Sequence, residues 1–162
     1  MKKLWILVMM ALLLCGCVAE ETFETVGDEM VQPVIAQQRQ IQLRLPEETL
    51  LPAMETEGKT LYLCKNYDVT VQTLGGGNLD ATVRQVSGFS AEDLTVIQTM
   101  SGDFVCYEFV WTASGDLGEE VSRAKIIDDG SFHYVLTASA AASRAGELQE
   151  IWNGMFETFE LA

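Results

Sequence analysis

"EVSRAKIIDDGSFHYVLTAS", residues 120–139, decides the fold. Two runs rich in β-branched and aromatic residues flank Asp128-Asp129-Gly130-Ser131, and Asp-Gly between such runs signals a tight hairpin. Upstream, "LTVIQTM" and "DFVCYEFVWTA" are joined through Ser101-Gly102-Asp103, a second turn of the same kind. Val105, Tyr107, Phe109 and Trp111 alternate with Cys106 and Glu108, which gives this strand an apolar face.

Further back, "KTLYLCK" and "YDVTVQTL" read as a third hairpin across Asn66, and "RQIQLRLPEE" alternates Ile41, Leu43 and Leu45 with Gln40, Gln42 and Arg44 before Pro46 ends it. Gly75-Gly76-Gly77 leads into Asn78, a good N-cap, and a short helix that turns Leu79, Val83 and Val86 inward. Ser90 with Asp93 three residues on forms a weak capping box for another helical turn. At the C-terminus Leu148, Ile151, Trp152 and Met155 fall on one helical face, with Ser143 as the expected cap, and "FETFEL" is expected to leave the helix as an extended tail. Strands outnumber helices and neighbours pair as hairpins. The expected class is α+β, an antiparallel β-sheet with helices packed on it.

That order of elements resembles the PsbP/Mog1-like fold. The resemblance rests on "SGFSAEDLTVIQTM", "AKIIDDGSFHYVLTASA" and "LQEIWNGMFETFEL", and spans roughly residues 38–162. In the family a Y-x-L-T strand end, here Tyr134 to Thr137, leads into a long helix and an S-F-x-L tail. Here that tail is Thr158-Phe159-Glu160-Leu161, with threonine in place of serine. The family implies a binding or accessory module; one branch assists a photosynthetic complex and another binds a small GTPase. It supplies no catalytic residue to carry over, and fold likeness alone does not specify an activity.

The N-terminus says where such a domain would work. Lys2 and Lys3 precede an apolar run, Leu4 to Leu14, too short at roughly 17 Å to span a bilayer. Leu14-Cys15-Gly16-Cys17 then resembles a bacterial lipobox, which implies a diacylglyceryl group on the Cys17 sulfur and cleavage before it. The alternative is an ordinary secretory signal cut after Cys17-Val18-Ala19. The expected organisation is a signal peptide over 1–16, a short lipidated tether over 17–24 and one domain over 25–162. The chain would be exported and lipid-anchored on the outer face of the cytoplasmic membrane, or on the periplasmic or outer-membrane side in a cell with two membranes.

Charge narrows the partners. Against 24 acidic residues stand 10 basic ones, of which Lys2 and Lys3 belong to the expected signal. Nucleic acid is excluded as a partner, since affinity there comes from basic residues neutralising phosphates. Anionic lipid would repel the domain, so the membrane is expected to hold it through the lipid alone. The remaining partner is an envelope protein or a cell-wall component.

Export also changes how Cys64 and Cys106 read. Two thiols in an exported domain most simply form one disulfide, which would close a loop of roughly 40 residues and contribute about 4 kcal/mol in the chain-entropy model. Two buried free thiols are the alternative. A metal site is not expected, because there is no C-x-x-C and His133 is the only histidine.

Other chemistry is thin. No nucleophile elbow, H-E-x-x-H or P-loop is present. "GGGN" before a helix could cradle an anion, but lacks a neighbouring cation and reads as a flexible connection. His133, between Phe132 and Tyr134, reads as a satisfied or solvent-facing strand histidine. Asp128 and Asp129 lack the further alternating acids of a calcium loop and read as a solvated turn. Asp116 with "GEE" at 118–120, and "ETEGK" at 55–59, are further acidic turns. Trp111, Trp152, Phe156 and Phe159 read as core, or as a partner site if exposed together.

The expected function is therefore non-enzymatic binding, with no cofactor. An envelope hydrolase using Glu108, Asp128 or Asp129 is the alternative from another class, since paired carboxylates can do acid–base work when one pKa is raised. A small-ligand or cation binder is a third.

Overall fold

The computed structural model describes residues 36–47, 49, 52–115 and 118–162, which belong to one compact unit, Ala36–Ala162. The signal peptide, Cys17, the tether, residues 25–35 and Asp116 lie outside the described residues. Among those described, no helix is long and apolar enough to cross a membrane.

Among the described residues nine strands and two helices follow in chain order: β1 (Ile41–Gln42), β2 (Met54–Thr56), β3 (Lys59–Leu63), β4 (Asp68–Gly75), α1 (Leu79–Ser87), β5 (Ile97–Ser101), β6 (Phe104–Gly115), β7 (Gly118–Asp128), β8 (Phe132–Ala141), α2 (Ala145–Thr158) and β9 (Glu160–Leu161). Seven of the strands form one antiparallel sheet in the order β2-β3-β4-β8-β7-β6-β5, while β1 pairs with β9. The three expected hairpins are present, with β7–β8 closing as Asp128 opposite His133 and β5–β6 as Ser101 opposite Phe104. The class is α+β, as the alternation required.

Both faces of the sheet are covered at its centre, because strand side chains alternate between them. One face carries Val69, Cys106, Ile127, Tyr134, Leu136 and Ala138 against Leu148, Trp152, Met155 and Phe156 of α2. The other carries Phe109, Trp111, Ala124, Ile126 and Val135 against Val83 of α1. Trp111, Trp152, Phe156 and Phe159 are all core residues.

Local chemistry explains the helix ends. The Asn78 side chain accepts from the Ala81 amide and Gly88 closes α1 at φ 82°. Ser90 starts a 3-10 turn, Ala91–Asp93, and its hydroxyl donates to the Asp93 carboxylate. The expected cap on α2 is not used: Arg144 occupies that position with no side-chain cap bond. A turn bond from the Arg144 amide to the Ala141 carbonyl, and another from Glu147 to Arg144, start the helix instead. The helix also runs further into "FETFEL" than expected. Phe156 is buried and Thr158 back-bonds to the Gly154 and Met155 carbonyls, so the chain becomes extended only at Phe159.

Two expectations need correction. The alternating stretch around Ile41 pairs only at Ile41 and Gln42, because β9 offers just two partners; Leu43 and Leu45 still pack against the core. Cys64 and Cys106 form no disulfide and are free thiols. Between β3, which Cys64 directly follows, and β6, which holds Cys106, lie β4, β8 and β7. At ~4.8 Å per strand that is roughly 19 Å, whereas a disulfide needs Cα atoms within about 7 Å.

Candidate functional site

The α2 face of the sheet is apolar in its middle and ionic towards β6 and β7. The same alternation that points Val121 and Ile127 at α2 also points Arg123 and Lys125 there. Lys125 is buried, and its ammonium donates to the carbonyls of Phe156 at 3.0 Å and Phe159 at 3.1 Å. It thereby satisfies acceptors that α2 leaves open at its C-terminal end, where the helix dipole also favours a cation. Arg123 donates to Glu108 at 2.8 Å and to Asn153 at 2.7 Å, and its guanidinium lies 4.4 Å from the centre of the Phe156 ring.

Beside this ionic floor the sheet outruns the helix. A groove of about 550 Å³ opens between the start of α2 and strands β5–β7, lined by Ile97, Glu108, Val110, Val121, Arg123 and Trp152 among others. Ile97 is 58% exposed and Val110 54%, a high exposure for large apolar side chains. Trp152 is buried, and its indole N–H is enclosed with no hydrogen-bond partner among the described residues. The groove thus offers apolar area beside a rigid polar pair, the usual composition of a binding site.

The hairpin turn holds a different set. His133 is wholly buried on the α1 face, its Nδ1 2.6 Å from the Thr82 hydroxyl and its Nε2 3.5 Å from an Asp128 oxygen. Thr82 is itself buried, so this Thr-His-Asp row pins α1 to the sheet and meets solvent at Asp128, whose side chain is 25% exposed. Asp129 accepts from the Ser131 and Phe132 amides and from the Tyr134 hydroxyl, with Arg39 3.6 Å away. Burial works to raise its pKa, but those hydrogen bonds and the Arg39 charge together hold it below the usual carboxylate value. Only 4% of the Asp129 side chain is exposed, so this carboxylate is not solvated, whereas Gly130 and Ser131 of the same turn are exposed. Asp128 likewise spends one oxygen on the Gly130 amide. These carboxylates build the turn from within.

Within the glycine run, Gly76 is held by close packing. A Cβ on Gly76 would lie 2.7–2.9 Å from the Ser131–Phe132 backbone, and the Gly76 amide already donates to the Ser131 carbonyl. Cys106 is buried, which pushes its thiol pKa up, while Cys64 contacts the Thr49 hydroxyl at 3.3 Å. Among the described residues no three His, Cys, Asp or Glu side chains cluster as a metal would need.

The carboxylates proposed for hydrolysis do not converge. Glu108 lies on the groove floor, while Asp128 faces the opposite side of the sheet beside His133. The groove itself, made by Ile97 and Val110 around the Glu108–Arg123 pair, was not anticipated. A signal was available, since Arg123 and Lys125 share the strand parity of Val121 and Ile127.

No protein-family model matches the sequence, and no curated protein matches it in sequence. Solved structures do match in fold. LpqN, described as involved in cell envelope biogenesis of Mycobacterium tuberculosis, aligns at 16% identity over 77% of this chain and 84% of its own, with a TM-score of 0.52. Cyanobacterial PsbP from Synechocystis sp. PCC 6803 aligns at 10% identity over 78% of this chain and 95% of its own, with a TM-score of 0.50. The Saccharomyces cerevisiae Ran-binding protein Mog1p aligns at 10% identity over 75% and 89%, with a TM-score of 0.51. The fold of this chain is PsbP/Mog1-like.

Proposed function

We propose that this chain is an exported bacterial lipoprotein, acylated at Cys17, whose domain binds a partner in the envelope without transforming it. The observation that carries the binding reading is the groove beside α2, where Ile97 and Val110 are exposed next to the fixed Glu108–Arg123 pair. Exposed apolar side chains gathered in one concave place favour a partner. The lipobox-like Leu14-Cys15-Gly16-Cys17 supports export, and the likeness to an envelope-biogenesis protein of Mycobacterium tuberculosis is in keeping with it. The volume and largely apolar lining of the groove also suit a second reading, a small apolar ligand.

The test is a photo-crosslinking residue placed at Val110 in cells, with the exposed Gln85 of α1 as control. Recurrent capture of one envelope protein from Val110 alone supports the protein-partner reading. Capture of small molecules or wall polymer alone moves the assignment to ligand binding, and equal labelling at both positions overturns the groove as the site. Cys17→Ala should leave an unprocessed precursor without lipid; normal cleavage in that variant would favour the secretory-signal alternative.

A further inference from the structure

We infer that the partner docks by adding a strand to β5, and that the segment it offers is extended, apolar on one face and flanked by lysine or arginine. This rests on the reading that the groove beside α2 is a protein-binding site.

Strand β5 is the end of the seven-stranded sheet, with β6 on one side and no strand on the other among the described residues. Its pairing with β6 closes at Ser101 opposite Phe104, so Ser101, Thr99 and Ile97 exchange hydrogen bonds with β6. Alternation then turns the amides and carbonyls of Gln98 and Met100 outward. The strand reads IQTMS, without proline or charge, and Ile97 and Met100 are 58% and 62% exposed. Natural edge strands are commonly blunted by charge, proline or a covering element. β5 carries neither of the first two, and added strands commonly use such an edge.

The groove continues from this edge. Ile97 pairs across from Glu108 and lies on the α2 face, so a strand added outside β5 sets its same-face side chains next to Ile97 and the groove mouth. A long apolar side chain there covers Ile97 and reaches towards Val110.

Charge selects what flanks that segment. No lysine or arginine occurs from residue 85 to residue 122, a stretch that contains all of β5 and β6. Glu92 and Asp93 stand exposed before β5, and Asp103 stands exposed in the turn after it. The same arrangement disfavours a second copy of this chain. Antiparallel pairing of two β5 strands brings the Glu92–Asp93 end of one copy onto the Asp103 end of the other, and like charges there repel. A cationic segment is attracted at both ends.

The probe is a synthetic peptide of about eight residues, the length of an ordinary strand, alternating leucine and threonine with lysine at both ends. It is tested on the full chain in detergent, beside a peptide with glutamate at the ends and one N-methylated at alternate amides. The lysine-ended peptide should bind at least about tenfold more tightly than either control, more weakly as salt rises, and should slow hydrogen exchange at the Gln98 and Met100 amides. Asp103→Lys, an exposed turn change, should weaken it; Met100→Pro, which removes an outward N–H, should abolish it. Equal binding of lysine- and glutamate-ended peptides, binding without protection at Gln98 and Met100, or no binding at millimolar peptide overturns strand addition. If any of these occurs while Val110 still captures one protein in cells, only the docking mode falls; if Val110 captures none, the protein-partner reading falls with it.

Discussion

The Nδ1 atom of His133 lies 2.6 Å from the hydroxyl of Thr82, which joins the hairpin end of β8 to α1, both residues being buried. Replacing that hydroxyl with a methyl group leaves the imidazole nitrogen buried and unpaired. Thr82→Val should therefore cost about 1–3 kcal/mol, read as a lower urea midpoint with an unchanged m-value. A change near zero would show that the bond contributes nothing net.

Lys125 should matter more than its single charge suggests. Its ammonium is the partner of two carbonyls at the end of α2, so Lys125→Met strands both acceptors in a buried place. The expected loss is about 1–3 kcal/mol, with faster hydrogen exchange in the last turn of α2. Lys125→Arg should not rescue it fully, because a planar fork does not replace a compact ammionium-sized donor group beside Phe159.

Acid should loosen the Asp129 turn. The folded-state pKa of Asp129 is lowered, so between that value and the ordinary carboxylate value of about 3.9 the unfolded chain binds more protons than the folded one. Its stabilising contribution is complete above that ordinary value and is lost as pH falls through the lowered one. Asp129→Asn should be less stable at neutral pH and show a flatter decline of stability below about pH 4. An unchanged acid slope would assign the decline to other carboxylates.

The two cysteines should behave independently. Unfolding without reductant should release both Cys64 and Cys106 as titratable thiols. Cys106→Ser puts a hydroxyl into the core and should cost about 1–3 kcal/mol, whereas Cys64→Ser at its half-buried site should cost less. Their losses should add, as expected for distant sites. In the native state thiol reagents should reach Cys64 first, since Cys106 is enclosed and its pKa is raised.

Much of the fold was legible because its signals are local. Asp129-Gly130 and Gly102-Asp103 mark their hairpins, Asn78 caps its helix, and the spacing of Leu148, Trp152 and Met155 sets the buried face of α2. Strand order is a long-range property, and it was the order that separated Cys64 from Cys106. The groove was missed for a related reason. Ile97 and Val110 look like core residues by composition, and only the placement of α2 over the sheet leaves them uncovered. Arg123 and Lys125 were legible by parity, but their partners, Asn153 and the Phe156 and Phe159 carbonyls, come from α2 and the residue that ends it, about thirty residues away in sequence.

The clasp of β1 with β9 bears on mechanics. The Ala162 amide donates to the Gln40 carbonyl, so the beginning and the end of the described unit meet at one place. Just upstream, Arg39 gives its amide to the Tyr134 hydroxyl, stands beside Asp129 and lies over the Phe104 ring. A pull on the chain from before Ala36 is thus taken up first by Arg39 and passed to the hairpin ends of the sheet. The clasp and α2 feel it afterwards. The fastening that resists traction is a guanidinium and a phenol at the margin of the sheet, and Arg39→Ala should lower the unfolding force in an optical trap while leaving the groove and β5 in place.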